Sequence, residues 1–455
     1  MVQLIVAMDE NNGIGNKGEI PWRCKEDLLF FKEQTQGNVL VMGSKTIENL
    51  PKLQDRTILC LTKSNDRFND NEHFGNNDFT VIDSLDFVKE FEHMDRKVFI
   101  AGGMQTYKSA LEIPGLVDTI HLSLIKGTYE CDTYFDRGLL QDYVISEYTN
   151  YDSFTHYLLK YSPNNSEKQY IELLKEILDH GVRREGRNGE TLSLFGKHMK
   201  FDLREGYPLL TTKKMFLRGI IEELLFFIRG ETDSSILSDK NVHIWEGNTT
   251  EEFIAKRGLL YAKGVMGPMY GFQWRNMNAP YKVDNEGRPM KPEGGVDQLA
   301  NVISLIKDDP TSRRILLTTY NPSQADEGVL YPCHSIVSQF YVDGEFLDMF
   351  CYNRSQDFFL GNPYNIASSS LLQIMIAQIT GKTPRYFHLS AGDTHLYADH
   401  EDAAREQISR IPYDLPKIKI NKELKSIDDI EKLEYKDFVL ENYMSHTTIK
   451  APMIA

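Results

Sequence analysis

The chain has no run of about eighteen consecutive apolar residues, so no segment reads as a membrane-spanning helix. It has no CxxC pair either. Its 5 cysteines, Cys24, Cys60, Cys131, Cys333 and Cys351, are scattered without a framework. That pattern argues against a disulfide scaffold and for a reducing, cytoplasmic compartment. HExxH, EF-hand loops and clustered His/Cys are missing, so no metal is expected. The opening MVQLIVAMDE lacks a basic leader and turns acidic at once, which predicts a first strand rather than a signal peptide. Positive charge is the scarcer sign: 51 Lys and Arg against 66 Asp and Glu leave a formal net charge of -15. Such a balance opposes broad affinity for nucleic acid or anionic membrane, yet it leaves room for a local cationic pocket for small anions. No internal repeat or low-complexity tract is present.

What is present is enough chain, 455 residues, for two or three domains. In residues 1–161 short β-branched runs (VQLIVAM, VLVM, RTILCL, KVFIA, TIHLSLI) alternate with amphipathic segments (KEDLLFFKEQT, LDFVKEFEH, MQTYKSALE). Strands separated by helices predict a mostly parallel sheet flanked by helices, an α/β domain, with FTHYLLKY as its closing edge. SPNNSE, at 162–167, is the one compact Pro/Asn/Ser stretch and is read as a short linker. From 168 to 455 the texture changes. KQYIELLKEILDHG reads as a helix closed by Gly181, and FLRGIIEELLFFIRG and NIASSSLLQIMIAQITG are apolar almost all round. With strand-like RRILLTTYN, HSIVSQFYVD and EFLDMFCYNR between them, they predict an α+β domain of a mixed sheet with buried helices.

Three features of the first module can carry chemistry. Asp27 lies in KEDLLFFK beside Leu28 and Phe31, where partial desolvation would raise its pKa and suit it to share a proton with a heterocycle. Position alone better fits a solvated first-turn acid favoured by the helix dipole. Gly102 and Gly103 follow a strand and open a helix, so a phosphate-bearing cofactor could approach the backbone. The loop NNGIGNKGEIPW has the glycines of a mobile lid. Each signal by itself is weak, since a bare glycine pair is usually only a turn.

Together, in order and spacing, they resemble the dihydrofolate reductase family. The matching runs are LIVAMDENNGIGNKGEIPW, EDLLFFK, VLVMGSKT, LQDRTILCLTK, IAGGMQTY and DTYF. The resemblance implies that Asp27 orients the pterin and helps deliver its proton, with Ser123 contacting both. It implies a folate pocket of Ile5, Trp22, Leu28, Phe31 and Leu50, with Arg56 forking onto the glutamate α-carboxylate. NADPH would be held by Ala7, Ile14, Gly15, Gly43, Lys45, Thr46, Lys63, Gly102, Gly103 and Tyr107. This sequence departs from the family where Ser44, rather than Lys or Arg, follows Met42-Gly43, and where no proline precedes Arg56.

In the second module Cys333 stands after a proline and before His334. A nucleophilic thiol needs its pKa lowered by nearby cations, and Arg354 and the double arginine of PTSRRI are the candidates. An isolated cysteine would read as inert core. Here the surrounding motifs resemble thymidylate synthase almost end to end: LSLFG, YPLLTTKK, GIIEELLFFIRGET, VHIWEG, GPMYGFQWR, PTSRRI, PCHSIVSQFYV, NRSQDFFLGNPYNIA, GDTHLY and IKAPMIA. The resemblance implies that Cys333 attacks C6 of dUMP and makes C5 a nucleophile toward the methylene of 5,10-methylenetetrahydrofolate. Arg187, Arg354 and Ser355 would grip the phosphate, with Arg313 and Arg314 reaching from a partner subunit. Four guanidinium groups around one dianion make physical sense, because each offers permanent bidentate donors. Asn365 would read the uracil edge, and His395 and Tyr397 the ribose. Glu223 would organise proton transfers, its bottom-up support being an acid inside IIEELLFFI, while Glu222 beside it reads as structural. Tyr270 would assist proton removal from C5. Trp245, Gly361 and Tyr364 would contact the folate, Asp357 is implicated with both nucleotide and folate, and the last residues would close over it. The loop EGRNGETLS is shorter than the common family form, and the tail ends in MIA.

The folate supplies a methylene and a hydride and leaves as dihydrofolate, the substrate of the first module, so the fusion is chemically coherent. A phosphate clamped by arginines of two subunits implies a homodimer formed through the second module. Two other readings stand beside this one. A deoxypyrimidine hydroxymethylase would quench the folate adduct with water, and Asn365 and Trp245 speak against it. A catalytically retired binding or scaffold protein would have no use for intact catalytic residues in both halves.

Overall fold

The computed structural model describes residues 2–48, 50–63, 79–91, 96–186 and 188–454. They form two compact units: Met1–Asn165 together with Ile411–Asp414, and Ser166–Arg410 together with Leu415–Ala455. Among the described residues no helix is long and apolar enough to cross a membrane.

The first unit runs β1 (Val2–Met8), β2 (Gly13–Gly15), α1 (Lys25–Thr35), β3 (Val39–Gly43), α2 (Ser44–Glu48), β4 (Thr57–Leu61) and β5 (Phe79–Ile82). It continues with β6 (Val98–Ile100), α3 (Met104–Leu111), β7 (Thr119–Ile125), β8 (Thr133–Tyr134), β9 (Tyr143–Asn150) and β10 (Phe154–Tyr161). Eight strands make one sheet in the order β5-β4-β3-β6-β1-β7-β10-β9. Neighbours from β5 through β7 are parallel. β10 runs antiparallel between β7 and β9. The central strands β1 and β3 are buried at nearly every position, so apart from Gln3 their side chains are apolar on both faces rather than alternating.

Two expectations need correction. FTHYLLKY forms β10, but the sheet closes on β9, whose exposed second half (Glu147–Asn150) is too polar to announce an apolar strand. LDFVKEFEH forms a 3-10 turn over Leu85–Phe91 rather than an amphipathic α-helix, and its residues 92 and 93 lie outside the described ones.

The second unit runs α4 (Glu167–His180), β11 (Val182–Gly186), β12 (Gly189–Asp202), α5 (Leu217–Ile228), α6 (Ser235–Ser238), α7 (Glu251–Lys256), α8 (Gly271–Asn276), α9 (Gln298–Asp308) and β13 (Leu316–Thr318). It ends with β14 (Val337–Asp343), β15 (Phe346–Asp357), α10 (Gly361–Thr380), β16 (Thr383–Tyr397), α11 (Glu401–Ile408), β17 (Lys417–Ile420), α12 (Ile427–Glu431) and β18 (Phe438–Glu441). Six strands form a sheet ordered β11-β12-β16-β15-β14-β13, in which only β15 and β16 pair in parallel. That pair needs a crossover, and α10 supplies it. Phe340, Leu347, Met349, Phe387 and Leu389 point from this sheet into a core shared with α5 and α10, the two helices predicted to be buried. Gly381, at φ +64, ends α10 in the left-handed conformation that only glycine adopts without strain.

Glu167, placed by the sequence in the linker, opens α4 and is 1 % exposed. Its carboxylate accepts bonds of 2.6–3.0 Å from the backbone N–H and hydroxyl groups of Thr211 and Thr212.

Candidate active sites

In the first unit, parallel strands deliver their carboxyl ends to one side of the sheet, where ligands of open α/β folds bind. β3 ends in Gly43 and β6 in Ala101-Gly102-Gly103, and these two turns touch: Gly43 N donates to Gly102 O at 2.8 Å. A Cβ at Gly43 would lie 3.0 Å from Thr106 Oγ1, and one at Gly102, where φ is +116, would lie 3.3 Å from the Tyr107 hydroxyl. Only bare backbone fits there, and α3 points its N-terminus at the same place. The result is a cleft of about 1230 Å³. Ala7, Ile14, Gly15, Gly43, Lys45, Thr46, Lys63, Gly102, Gly103 and Tyr107 all line it, as does Trp22. Lys45 and Lys63 are its exposed cations.

Asp27 stands on α1 and is 8 % exposed. Burial raises its pKa, and a hydrogen bond from Ser123 on β7 opposes that rise. The nearby Tyr107 hydroxyl, itself raised by burial and then by the Asp27 charge, donates to Ile5 O at 2.8 Å. Ile5 and Trp22, with the partly buried Phe31 and Leu50, belong to one apolar cluster around Phe30. Leu28 does not lie on the buried face: it is 57 % exposed, because the helical step that turns Asp27 and Phe30 inward turns Leu28 out. Arg56 donates to Gln54 O (2.8 Å), Lys32 O (3.3 Å) and Thr35 Oγ1 (3.3 Å), so its fork is seated against the last turn of α1.

Sequence reasoning missed Asp9. Its fully buried carboxylate accepts from Asn11 N, Gly13 N and Tyr129 N at 2.7–2.9 Å, and it anchors the glycine loop that β2 then pairs with β8. The signal was the Asp-Glu-Asn-Asn-Gly run, a side chain bonding backbone two and four residues on.

In the second unit, Cys333 sits in the connection entering β14. Its carbonyl accepts from Arg354 N (2.8 Å) and Ser355 N (3.3 Å), which fixes the connection to the end of β15. Its backbone N–H donates to the Tyr270 hydroxyl at 3.2 Å, and that hydroxyl lies 3.5 Å from Cys333 Sγ. Tyr270 holds a strained φ of +33 immediately before Gly271, whose Cβ would come within 2.4 Å of Phe227 O. The tight approach of α8 to α5 therefore aims the tyrosine at the thiol. Burial raises the Cys333 pKa, against the lowering effects of Tyr270 and Arg354. Desolvation outweighs the Tyr270 hydrogen bond, the Arg354 charge and the backbone N–H groups of Cys333 and His334 taken together. His334 contributes no charge: it stacks on Tyr270 with ring centroids 4.3 Å apart, and burial lowers its pKa to about 4.

Glu223 projects from α5 and accepts from Trp245 Nε1 at 2.8 Å. Burial raises it to about 7 despite that bond. Its field also reaches Tyr270 and Tyr364. Its neighbour Glu222 faces away and pairs with Lys240 at 2.6 Å, the structural role read from its place on the helix.

The strand β15, helix α10 and strand β16 collect the other expected residues. Arg354, Ser355 and Asp357 end β15; Gly361, Tyr364 and Asn365 open α10; His395 and Tyr397 end β16. Register pairs Asp357 with His395. The Asp357 carboxylate accepts from Phe359 N and Leu360 N at 3.1 Å, capping the entry to α10. His395 is oriented by Asp393, 3.2 Å from its Nδ1. Arg313 and Arg314 are not brought here. They are exposed on the connection before β13, and no ion pair links them to another described residue. Arg187 lies outside the described residues. Lys213 was missed although TTKK was noted: it is 6 % exposed, donates to Phe359 O at 2.5 Å, and burial lowers its pKa to about 7. Among the described residues no group of three or more His, Cys, Asp or Glu is placed to hold a metal.

Comparison with known proteins agrees with this two-site organisation. Residues 1–163 match the family model described as dihydrofolate reductase, and residues 168–455 match that of thymidylate synthase. Similar along nearly their whole lengths are proteins named bifunctional dihydrofolate reductase-thymidylate synthase. That of Paramecium tetraurelia is 37% identical over 99% of this chain and 98% of its own. Those of Zea mays and Leishmania major are 35% and 34% identical over 99% of this chain and 96% and 94% of theirs.

Proposed function

The chain belongs to the bifunctional dihydrofolate reductase–thymidylate synthase family, and from that premise we propose which of its residues do each part of the work. It methylates dUMP to dTMP with 5,10-methylenetetrahydrofolate and reduces the dihydrofolate so formed with NADPH.

In the synthase unit Cys333 adds to C6 of dUMP and leaves C5 as the nucleophile for the folate methylene. Tyr270, within reach of Sγ, relays the proton lost from C5. Glu223, raised to about 7, takes and returns protons near neutrality, and Trp245 holds it in place. That cluster is the observation that carries the reading. Arg187, Arg354 and Ser355 hold the phosphate, Asn365 the base edge, His395 and Tyr397 the ribose, while Asp357, Gly361 and Tyr364 face the folate.

In the reductase unit NADPH, when bound, supplies the hydride. The bare Gly43 and Gly102-Gly103 turns and the two cleft lysines fit a dinucleotide with phosphates. Asp27 holds the pterin and its proton, helped by Ser123. Ile5, Trp22, Leu28, Phe31 and Leu50 enclose the folate ring, and Arg56 takes its carboxylate.

The active form is a homodimer built on the second unit. One face of its sheet is pressed on α10, while the other leaves Phe350 39 % and Tyr341 66 % exposed. Arg313 and Arg314 would cross to the partner's phosphate. The five unbridged cysteines suit a reducing, cytoplasmic setting.

The test is a coupled assay with dUMP, methylenetetrahydrofolate and NADPH. Cys333→Ala should stop dTMP formation and spare dihydrofolate reduction, and Asp27→Asn should do the reverse. Mixing Cys333→Ala chains with Arg313→Glu/Arg314→Glu chains should restore synthase activity. Failure of that mixture to recover would refute the shared phosphate site.

A further inference from the structure

His400 ends a short 3-10 turn, Ala398–His400, that leaves β16 directly behind Tyr397. It is completely buried, and none of the roles above uses it. Its Nε2 lies 2.8 Å from Pro452 O. A carbonyl only accepts, so Nε2 carries the proton and donates. Nδ1 is buried with no partner among the described residues. An apolar side chain would fill this place without leaving an orphan acceptor. What the imidazole adds is the Nε2 donor.

The ring stands between parts of the synthase site. It meets Tyr397 at 5.7 Å and 77°, and Phe359 at 5.5 Å and 45°. Tyr397 in turn meets His395 at 5.3 Å. Phe359 N–H is held by Asp357, and its carbonyl takes the Lys213 ammonium. On the other side lies the final stretch of chain, pinned in steps. His446 N donates to Thr211 O at 2.8 Å, Arg410 Nη1 donates to Thr447 O at 2.7 Å, and Ile449 is buried. His400 then takes Pro452, and the next residue, Met453, is 63 % exposed.

We infer that His400 is a positioning residue for methyl transfer, fastening residues 449–452 over the folate and tying that roof to the ribose contacts at Tyr397. The inference rests on the reading of this final stretch as the roof of the folate site. A loosened roof costs folate binding and leaves the nucleotide, held mainly from β15 and β16, in place.

Three chains test it: His400→Leu, His400→Gln, whose amide can donate from the place of Nε2, and a chain stopped after Ala451. Steady-state kinetics give KM for methylenetetrahydrofolate, and calorimetry without folate gives the dUMP dissociation constant. His400→Leu should raise that KM about fivefold, the worth of one hydrogen bond, with dUMP binding unchanged. His400→Gln should stay within about twofold of the native chain. Equal losses in the two variants, or weaker dUMP binding in step with the folate, would make the residue merely structural and overturn the inference. A raised KM in the shortened chain beside a normal His400→Leu overturns the latch and leaves the roof standing. An unchanged KM in the shortened chain removes the roof, and the latch with it.

Discussion

Replacing Glu223 with glutamine should cripple the synthase and at the same time stabilise it, by an amount that depends on pH. The carboxyl is raised from 4.5 to about 7 because burial takes it out of water, which outweighs the lowering effect of the bond from Trp245. In the folded chain it therefore keeps its proton through a range where the unfolded chain has lost its own. Stability must fall as pH rises from about 4.5 to about 7 and stay level above, since the folded state binds the extra proton only within that window. At about 1.4 kcal/mol per unit, ionising Glu223 in place costs the fold about 3 kcal/mol at pH 8. Glutamine can still accept from Trp245 and never ionises. Urea unfolding of the synthase unit, followed at pH 5, 6, 7 and 8, should show the variant gaining on the native chain through that series. Turnover should fall about a hundredfold, the usual worth of a positioned acid–base group. A stability difference that is flat with pH, or a variant weaker than native at pH 8, would refute the claim that this carboxyl is held desolvated.

Other consequences can be measured more simply. Ser123→Ala removes the bond that opposes the burial-raised pKa of Asp27, so, on the proton-delivering role proposed for that carboxyl, reductase activity should persist to higher pH in a profile followed by NADPH absorbance. Lys45→Gln and Lys63→Gln should each raise KM for NADPH about fivefold and matter less at high salt. Tyr270→Phe takes away a contact that lowers the Cys333 pKa, so alkylation of that thiol by iodoacetamide at pH 8 should slow about threefold. Lys240→Met strands the buried Glu222 carboxylate and should cost about 2 kcal/mol in denaturant unfolding while leaving both KM values intact.

How far the sequence could be read depended on whether a residue's role is local. The helix KEDLLFFKEQT and the central strands announce themselves through runs of one period, and they stand where those runs place them. The glycine turns likewise declare a close backbone approach. β9 escaped notice because its outer half is polar, and the exposure of Leu28 was not legible because a residue and its helix neighbours cannot say which apolar face meets the sheet. The electrostatic state of Cys333 was also out of reach. Its sign depends on how much water burial removes, and two motifs distant in sequence, Tyr270 and Arg354, only partly offset that. Lys213 and Asp9 carry ordinary residue names in ordinary runs, and only their burial makes them unusual.

The pairing of β15 with β16 through α10 has a consequence for how the protein is made. The residues proposed for the base and the ribose, with Arg354 and Ser355 of those proposed for the phosphate, lie on this single crossover, and the parallel ladder of β15 and β16 cannot form until α10 has folded back over it. Non-local pairing of this kind is slow. A nucleotide bound there would draw the whole crossover toward its native arrangement by mass action. Supplied during refolding or expression, dUMP would thus act as a chaperone, raising the yield of folded chain even in forms unable to turn it over.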